Sequence, residues 1–375
     1  MVSSSNKAFS ASRLKSTIHS SEAGRSFVMT DTSMTLILND VIERARRFLE
    51  KSQWPGGFWI DFELAVGMSS QWVTAYVAHS LAQAGGSPQA LTQARDWLIR
   101  TQFDDGGWGF NRHVPPDADS IANVLLFFSG FDRETLEKTS LEKIADFLNT
   151  FRSISDGGFK TYRSRPPRPG EEQAEFLYEE SGWCISHLSV TALAAEALIR
   201  VSKTNYKAII QAAADFMRAQ QSGQGYWNCY WWYGPLYGTY RATRTLSMLG
   251  DQAPLQRAAK WLADTRQDDG GWGDNLGGNS APFFTALAAS TLMLITGNPN
   301  VQQLIQRGVS WLLDTQRTDG SWESVPMLLT PIPQVRVPWE ETDPSCFAAV
   351  PDQNRLFTTA TVLSALVAYR EAIGL

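Results

Sequence analysis

Two kinds of apolar pattern alternate along the chain. The first is amphipathic: within Leu91–Thr101, residues Leu91, Ala94, Trp97 and Leu98 fall at i, i+3, i+6 and i+7, one face of a helix. The second is apolar on nearly every side. Val190–Leu198 carries one charged residue and Phe283–Ile295 none, and a helix of that kind must be buried. Between the two lies a turn with Asp-Gly-Gly or a close variant, since glycine accepts the left-handed conformation that stops a helix. The alternation predicts helix pairs, each with a half-wetted member and a buried one.

The pairs recur at a period of about fifty residues, and their punctuation is Gln, three residues, Gly, one residue, Trp. It reads Gln53–Gly57–Trp59, Gln102–Gly106–Trp108, Gln221–Gly225–Trp227 and Gln316–Gly320–Trp322 without a mismatch. Arg266–Gly270–Trp272 and Ser153–Gly157–Phe159 are weaker copies. Six pairs predict an all-α fold, a single (α/α)6 barrel of six helix-pair repeats with an outer and an inner ring. Closure suits the chain better than an open solenoid, because neither end repeat is polar like a cap. The six inner helices then run in one direction, starting near Ser69, Asp117, His187, Leu236, Ala281 and Asn354, and their N-termini surround one mouth.

Aromatic residues crowd that mouth: Trp72, Tyr76, Tyr237, Tyr240, Phe283, Phe284 and Phe357. The run Trp227-Asn-Cys-Tyr-Trp-Trp-Tyr233, containing Trp231 and Trp232, leads into the fourth start. Ring faces stabilise a cation without attacking it. Aromatics at helical spacing also serve as core packing, and each position is open to that reading. One start alone holds paired acids, Pro115-Pro-Asp-Ala-Asp-Ser120. An Asp at a helix start caps it, but capping needs no second carboxylate two residues on. Nearby carboxylates repel, so one tends to keep its proton, and a protonated acid in a dry aromatic pocket can protonate an alkene or an epoxide. Asp119 and Asp117 are therefore the candidate acids. Asn123, one turn on, is placed to donate a hydrogen bond to Asp119.

Length and composition narrow the class. The 375 residues are 43% hydrophobic with a net charge of −5, an ordinary globular balance that gives no sign of a nucleic-acid partner. Three cysteines without a CxxC pair argue against a disulfide framework or a structural zinc. No apolar run reaches the roughly 18–20 residues of a membrane span. Residues 1–35 are Ser-rich and basic and read as a disordered leader, which leaves 36–375 as the barrel domain.

The repeated Gln-x3-Gly-x-Trp turns, the Asp-x-Asp start and the segment Leu236-Tyr-Gly-Thr239 together resemble the squalene–hopene and oxidosqualene cyclase family over about residues 40–372. The resemblance implies an (α/α)6 barrel that cyclises polyprenes by protonation, with no cofactor and no metal. It implies Asp119 as proton donor and Asp117 as its upstream partner. It also places Trp72, Tyr237 and Phe357 on the cavity wall. Three departures stand out. The family's Asp-x-Asp-Asp ends here in Ser120, and its supporting histidine falls on Leu193, which leaves Asn123, Ser189 and His187 as partners for the acid. The chain is also about one barrel long where the large members have two. It is thus similar to single-domain class II terpene cyclases that act on prenylated aromatic acids, that is, meroterpenoid cyclases.

Other constellations carry less. Asp104-Asp105 and Asp268-Asp269 occupy repeat turns and read as structural. Cys184-x-x-His187 has metal-like spacing, yet two ligands make a weak site. An insert over 160–180 is rich in arginine and, with Arg112, suits an anionic head group. The expected substrate wall comprises Trp72, Tyr76, Trp108, His187, Trp231, Trp232, Tyr237, Tyr240, Phe283, Phe284 and Phe357, with Arg112 for the head group. The expected partner is a hydrophobic polyprenyl small molecule, met by a monomer or homodimer in the cytoplasm or peripheral to a membrane. Two other readings share the barrel. One is a protein prenyltransferase-like subunit, which needs an Asp/Cys/His zinc triad. The other is a non-catalytic lipid-binding barrel, which gives no reason for Asp117 and Asp119 to share a helix start.

Overall fold

The computed structural model describes residues 31–131, 138–164, 180–274, 278–295 and 299–375. Most of the Ser-rich leader and most of the arginine-rich insert lie outside the described residues. Twelve α-helices are present among the described residues. The outer set is α1 (Asp31–Lys51), α3 (Pro88–Arg100), α5 (Lys138–Asn149), α7 (Lys207–Ala219), α9 (Gln252–Thr265) and α11 (Pro299–Asp314). The inner set is α2 (Gln71–Gln83), α4 (Ala118–Ser129), α6 (Leu188–Ser202), α8 (Leu236–Met248), α10 (Pro282–Met293) and α12 (Leu356–Ala372). Each inner helix packs on the next, and α12 packs back on α2, which closes the ring. The two-ring barrel expected from the alternating pattern is the fold observed. Inner helices are buried along nearly their whole length, as their apolar faces require; in α10 ten of twelve residues are buried.

The repeat punctuation is a set of hydrogen bonds. Trp59, Trp108, Trp227, Trp272 and Trp322 are buried, and each indole N–H donates to a carbonyl in the last turns of the preceding outer helix, at 2.7–2.9 Å. The glutamine amide does two things. Gln53 donates to Gly57 O within its own turn and to Ala90 O of the next outer helix, at 3.2 and 2.9 Å. Gln316 does the same with Gly320 O and Val41 O, tying the last turn to α1 and sealing the outer ring. The glycine is needed for backbone conformation and for room: at Gly225, φ is +105°, and a Cβ would sit 2.4 Å from Arg257 O.

Two small antiparallel hairpins add to the helices. One pairs β1 (Asp61–Leu64) with β2 (Gly67–Ser69), and the other pairs β3 (Leu328–Pro331) with β4 (Phe347–Val350). The helical repeat pattern did not announce them. The seam where the first repeat meets the last is held by two buried acids. Asp61 accepts from the backbone N–H of Phe62, Asn354 and Leu356 at 3.0, 3.0 and 2.9 Å. Asp352 accepts from the N–H and hydroxyl of Thr358 at 2.6 and 2.8 Å, and from the Ser324 hydroxyl. Phe62 and Arg355, next to these bonds, are the non-glycine residues with left-handed backbone among the described residues, at φ 50° and 59°.

Candidate active site

The start of α4 is built by its sequence. Asp117 is the N-cap: its Oδ1 accepts from Ser120 N at 2.7 Å and its Oδ2 from the Ser120 hydroxyl at 2.7 Å. Ser120, the departure from a three-acid motif, thus serves Asp117 directly. With capping assigned to Asp117, Asp119 in the first helical turn is free to face inward. The Trp72 indole N–H donates to Asp119 Oδ2 at 2.7 Å. Asn123 Nδ2 donates mainly to the Asp119 backbone carbonyl at 2.9 Å and weakly to Oδ2 at 3.4 Å. The acid's strong partner is therefore Trp72, whereas the sequence suggested Asn123, Ser189 or His187. A tryptophan at a helix start reads as wall material, and nothing in the sequence shows where its N–H points.

Both acids are weaker than ordinary carboxyls. Burial, and then repulsion from Asp119, pushes Asp117 up to about 7 against the hydrogen bonds from Ser120. Burial pushes Asp119 up to about 6, with the Arg241 guanidinium and the Trp72 hydrogen bond working against it. The two titrate as neighbours near neutral pH, so the pair holds protons that free aspartates would have lost.

Asp117 and Asp119 border a cavity of about 310 Å³ whose walls are mostly apolar. Helix starts contribute Trp72, Ser120 and Ser189; the aromatic run contributes Trp231 and Trp232. Loops and hairpins contribute the rest: Leu64, Val66, Phe110, His113, Val114, Pro115, Thr161, Tyr162, Trp183, Leu328 and Thr330. Those loop residues were not legible in the sequence, apart from the short segment that runs straight into the Asp-x-Asp start.

Behind Trp72 and Trp232 the aromatic residues form a second layer. Trp232 stacks on Tyr237 at 3.9 Å between centroids and on Phe283 at 5.4 Å. Trp72 lies 5.0 Å from Phe357, which stacks on Tyr76 at 3.7 Å. Tyr237, Phe283, Phe357 and Tyr76 therefore back the wall rather than line the cavity. They still place ring faces one layer from any charge formed there.

Five expected wall or head-group residues stand elsewhere. Trp108 is the buried turn tryptophan of its repeat, its N–H spent on Leu98 O at 2.8 Å. His187 is buried under Tyr230, ring centroids 4.1 Å apart, with Nε2 donating to Gly182 O at 2.8 Å and Nδ1 paired with the Thr161 hydroxyl at 2.7 Å. Burial drives its imidazole down to about 3, so it stays neutral, and its nitrogens are not offered to a metal with Cys184. Phe284 packs edge-on against Phe283, away from the cavity. Tyr240 borders a second, deeper cavity. Arg112 is exposed, with its guanidinium 5.7 Å from the centre of the Phe103 ring; its neighbour His113 reaches the cavity instead. For Phe284 and Tyr240 the helix was legible, but the rotation of each side chain about it was not.

Of the turn acids, Asp269 is tied into its turn by three hydrogen bonds. Asp269 accepts from Gly271 N, the Ser280 hydroxyl and the Trp311 indole at 3.0, 2.7 and 3.0 Å.

Residues 109–337 match the family model for the squalene-hopene cyclase C-terminal domain. Among curated relatives, a squalene–hopene cyclase of Bradyrhizobium diazoefficiens is 26% identical over 234 residues, covering 56% of this chain and 35% of its own length. A drimenyl diphosphate synthase of Streptantibioticus cattleyicolor is 26% identical over 238 residues, covering 60% of this chain and 40% of its own. The chain thus spans well under half the length of these two relatives. Against solved structures the match runs nearly end to end. The type II terpene cyclase MstE from Scytonema, without ligand, superposes with a TM-score of 0.77 at 28% identity, covering 90% of this chain and 99% of that one. The complex of a single-substitution variant of that cyclase with the substrate geranylgeranyl dihydroxybenzoate gives 0.78 at 27% identity, with the same coverage.

Proposed function

The chain belongs to the squalene-hopene cyclase family, and from that premise we propose that it is a proton-initiated class II cyclase of polyprenyl chains. The observation that carries this reading is Asp119, a carboxyl raised to about 6 that borders a mostly apolar, aromatic-rich cavity. Trp72 occupies Oδ2, which leaves Oδ1 to hold and deliver the proton. The O–H bond breaks as a C–H bond forms at one alkene carbon, or as an O–H bond forms at an epoxide oxygen while one of its C–O bonds opens and leaves its electron pair on that oxygen. Either way, positive charge develops on the neighbouring carbon. The next alkene along the chain attacks that carbon, and each ring closure passes the charge on until a proton is lost. Trp72 stabilises the carboxylate left behind. Trp72, Trp231, Trp232 and Phe110, with the layer of Tyr237, Phe283 and Phe357 behind them, offer π faces to the migrating cation. The steps need no electron transfer, and the proton given at the start is balanced by the one lost at the end.

The substrate class follows from shape and from the neighbour. The tail must reach Asp119, so the head group is left to the loop side, where His113, Tyr162 and Thr330 line the cavity. MstE, which aligns over 99% of its length, binds a geranylgeranyl dihydroxybenzoate. A prenylated aromatic acid is the substrate we favour, with a linear polyprene second. The test is incubation with geranylgeranyl dihydroxybenzoate, linear polyprenes and prenyl diphosphates, followed by mass spectrometry and NMR. A cyclic isomer of unchanged mass is expected from the aryl substrate. Failure to isomerise any member of the panel would refute the reading.

A further inference from the structure

One to three turns further along the inner helices from Trp72 and Asp119 lies a small second cavity whose walls carry several polar and charged side chains. His79, Gln83, Asn123, Glu196, Tyr240, Arg241, Arg244 and Ser290 line it. At its centre is a buried ion cluster on two adjacent inner helices. Glu196 of α6 accepts from Arg244 Nε of α8 at 2.7 Å and lies 3.8 Å from Arg241 Nη1. Arg241 is itself boxed in by aromatic rings: its guanidinium lies 5.0 Å from Tyr237, 5.5 Å from Tyr240 and 6.0 Å from Tyr76, and its Nη2 donates to the Tyr237 hydroxyl at 2.9 Å. Burying such a cluster in a barrel interior costs several kcal/mol per ion unless geometry offsets it. Here the geometry is incomplete, because Arg241 Nε and Glu196 Oε2 are buried with no hydrogen-bond partner. Stability alone does not explain why the cluster is there.

Its position does. Tyr237 and Tyr76, which enclose Arg241, are also the backing layer of the cavity wall. Asn123 borders the second cavity while donating to Asp119. Arg241 therefore faces Asp119 from behind. A full positive charge there opposes the proposed chemistry twice, by favouring the Asp119 anion and by repelling a carbocation in front of the wall. We propose that Glu196 is a positioning residue for the acid: by offsetting part of the positive charge of Arg241 and Arg244 behind the aromatic layer, it favours the protonated form of Asp119 that delivers the proton. This rests on the cyclase reading for its consequence, but the charge coupling itself is independent of it.

The remaining groups around Asp119 do not take over that role. Asp117 on its own helix, Arg241 and Tyr237 of α8, and Tyr162 and Cys229 from the loops all act on Asp119 or respond to it electrostatically. Burial keeps the tyrosines and Cys229 neutral, so Asp117 and Arg241 are the charges that matter directly. Burial opposes a charged Glu196, but Arg244 and Arg241 outweigh it and hold its carboxyl below the ordinary value. The counter-charge is present throughout the working pH range.

The experiment is an infrared titration of substrate-free protein. The protonated carboxyl band of Asp119 is assigned by its loss in Asp119→Asn. Glu196→Gln should move the midpoint of that band down by about one pH unit or more, because Arg241 is then uncompensated. Arg241→Gln should move it up, and the double variant should return it towards wild type, as should Glu196→Asp alone. Opposite signs for the two single changes are what a packing role cannot produce. Midpoints that stay put, or that shift together in one direction, would overturn the proposal. If Glu196→Gln does not fold, Arg241→Gln against the double variant carries the same comparison. Because the band is read without turnover, a chain that cyclises nothing leaves this result standing, and an active chain with an unmoved band refutes it.

Discussion

Among the described residues two aspartate pairs meet at inner-helix starts, fully buried at α12 and half-buried at Asp119 of α4, and only one of them reads as chemical. At α12, Asp61 and Asp352 are enclosed, and burial raises both, Asp352 to about 7 with added repulsion from Asp61. At α4, Asp117 and Asp119 are raised to about 7 and 6. By titration alone the pairs are alike. They differ in what their oxygens face. Every hydrogen bond at the seam goes to backbone or to Ser and Thr hydroxyls of the two chain ends it joins. At α4, Ser120 takes up Asp117, and Asp119, held at Oδ2 by Trp72, borders a mostly apolar cavity of about 310 Å³. A raised carboxyl marks a functional site only when it also has a place for a substrate.

The sharpest way to break this comparison is to neutralise one acid from each pair. Asp119→Asn should abolish cyclisation, a loss of at least about 10²-fold for a missing general acid, with an unchanged circular dichroism spectrum. Asp352→Asn should leave turnover and products near wild type. If the seam variant lost activity while folded and the Asp119 variant kept it, the site would be in the wrong place.

A second contrast sets turn tryptophans against wall tryptophans. Trp322→Ala empties a fully buried site and should cost roughly 3–5 kcal/mol in denaturant unfolding without changing products. Trp232→Ala removes a π face worth about 0.5–2 kcal/mol to a nearby cation, so product analysis should show partly cyclised or early-deprotonated species. An altered product ratio from the turn variant, with none from the wall variant, would reverse the assignment.

The effect of pH separates the pairs more gently. A carboxyl raised in the folded state stabilises the fold below its unfolded value, and that contribution is lost as pH rises through the folded value. The melting temperature should therefore decline between about pH 4 and 7, and Asp352→Asn should flatten that decline. Turnover should fall as pH rises through about 6, where Asp119 loses its proton, and the seam variant should leave this profile in place. The smallest expected effect is that of chelation: a reaction begun by a carboxyl proton should proceed unchanged in EDTA, and loss of product rescued by magnesium would count against it.

Much of this could be read from residue order. The turn motif specified the repeat because glycine conformation, the indole N–H and the glutamine amide act within some ten residues or on the next repeat, at a constant offset. The inner and outer helices declared themselves by apolar periodicity. Asp119 was legible because two acids at one buried helix start exceed what capping needs. Position along a helix, however, does not tell which side of the wall a ring occupies. Trp72 and Trp232 face the cavity, while Tyr237, Phe283 and Phe357 stand one layer back.

What tertiary structure decided was every relation between distant segments. The Trp72 N–H on Asp119 links residues 47 apart, the seam bonds of Asp61 join residues nearly 300 apart, and Leu328 and Thr330 reach the cavity from a hairpin with no repeat signal. The Glu196–Arg241 cluster was likewise invisible, because Glu196 lies on α6 and Arg241 and Arg244 on α8, some fifty residues apart, and they meet only when the two inner helices pack together. Local backbone and burial preferences are written in neighbouring residues, and so the sequence alone determined the barrel and the helix start where its two acids stand. The acid's environment depends on side chains brought together by closure, whose order in the chain carries no record of their distance in space.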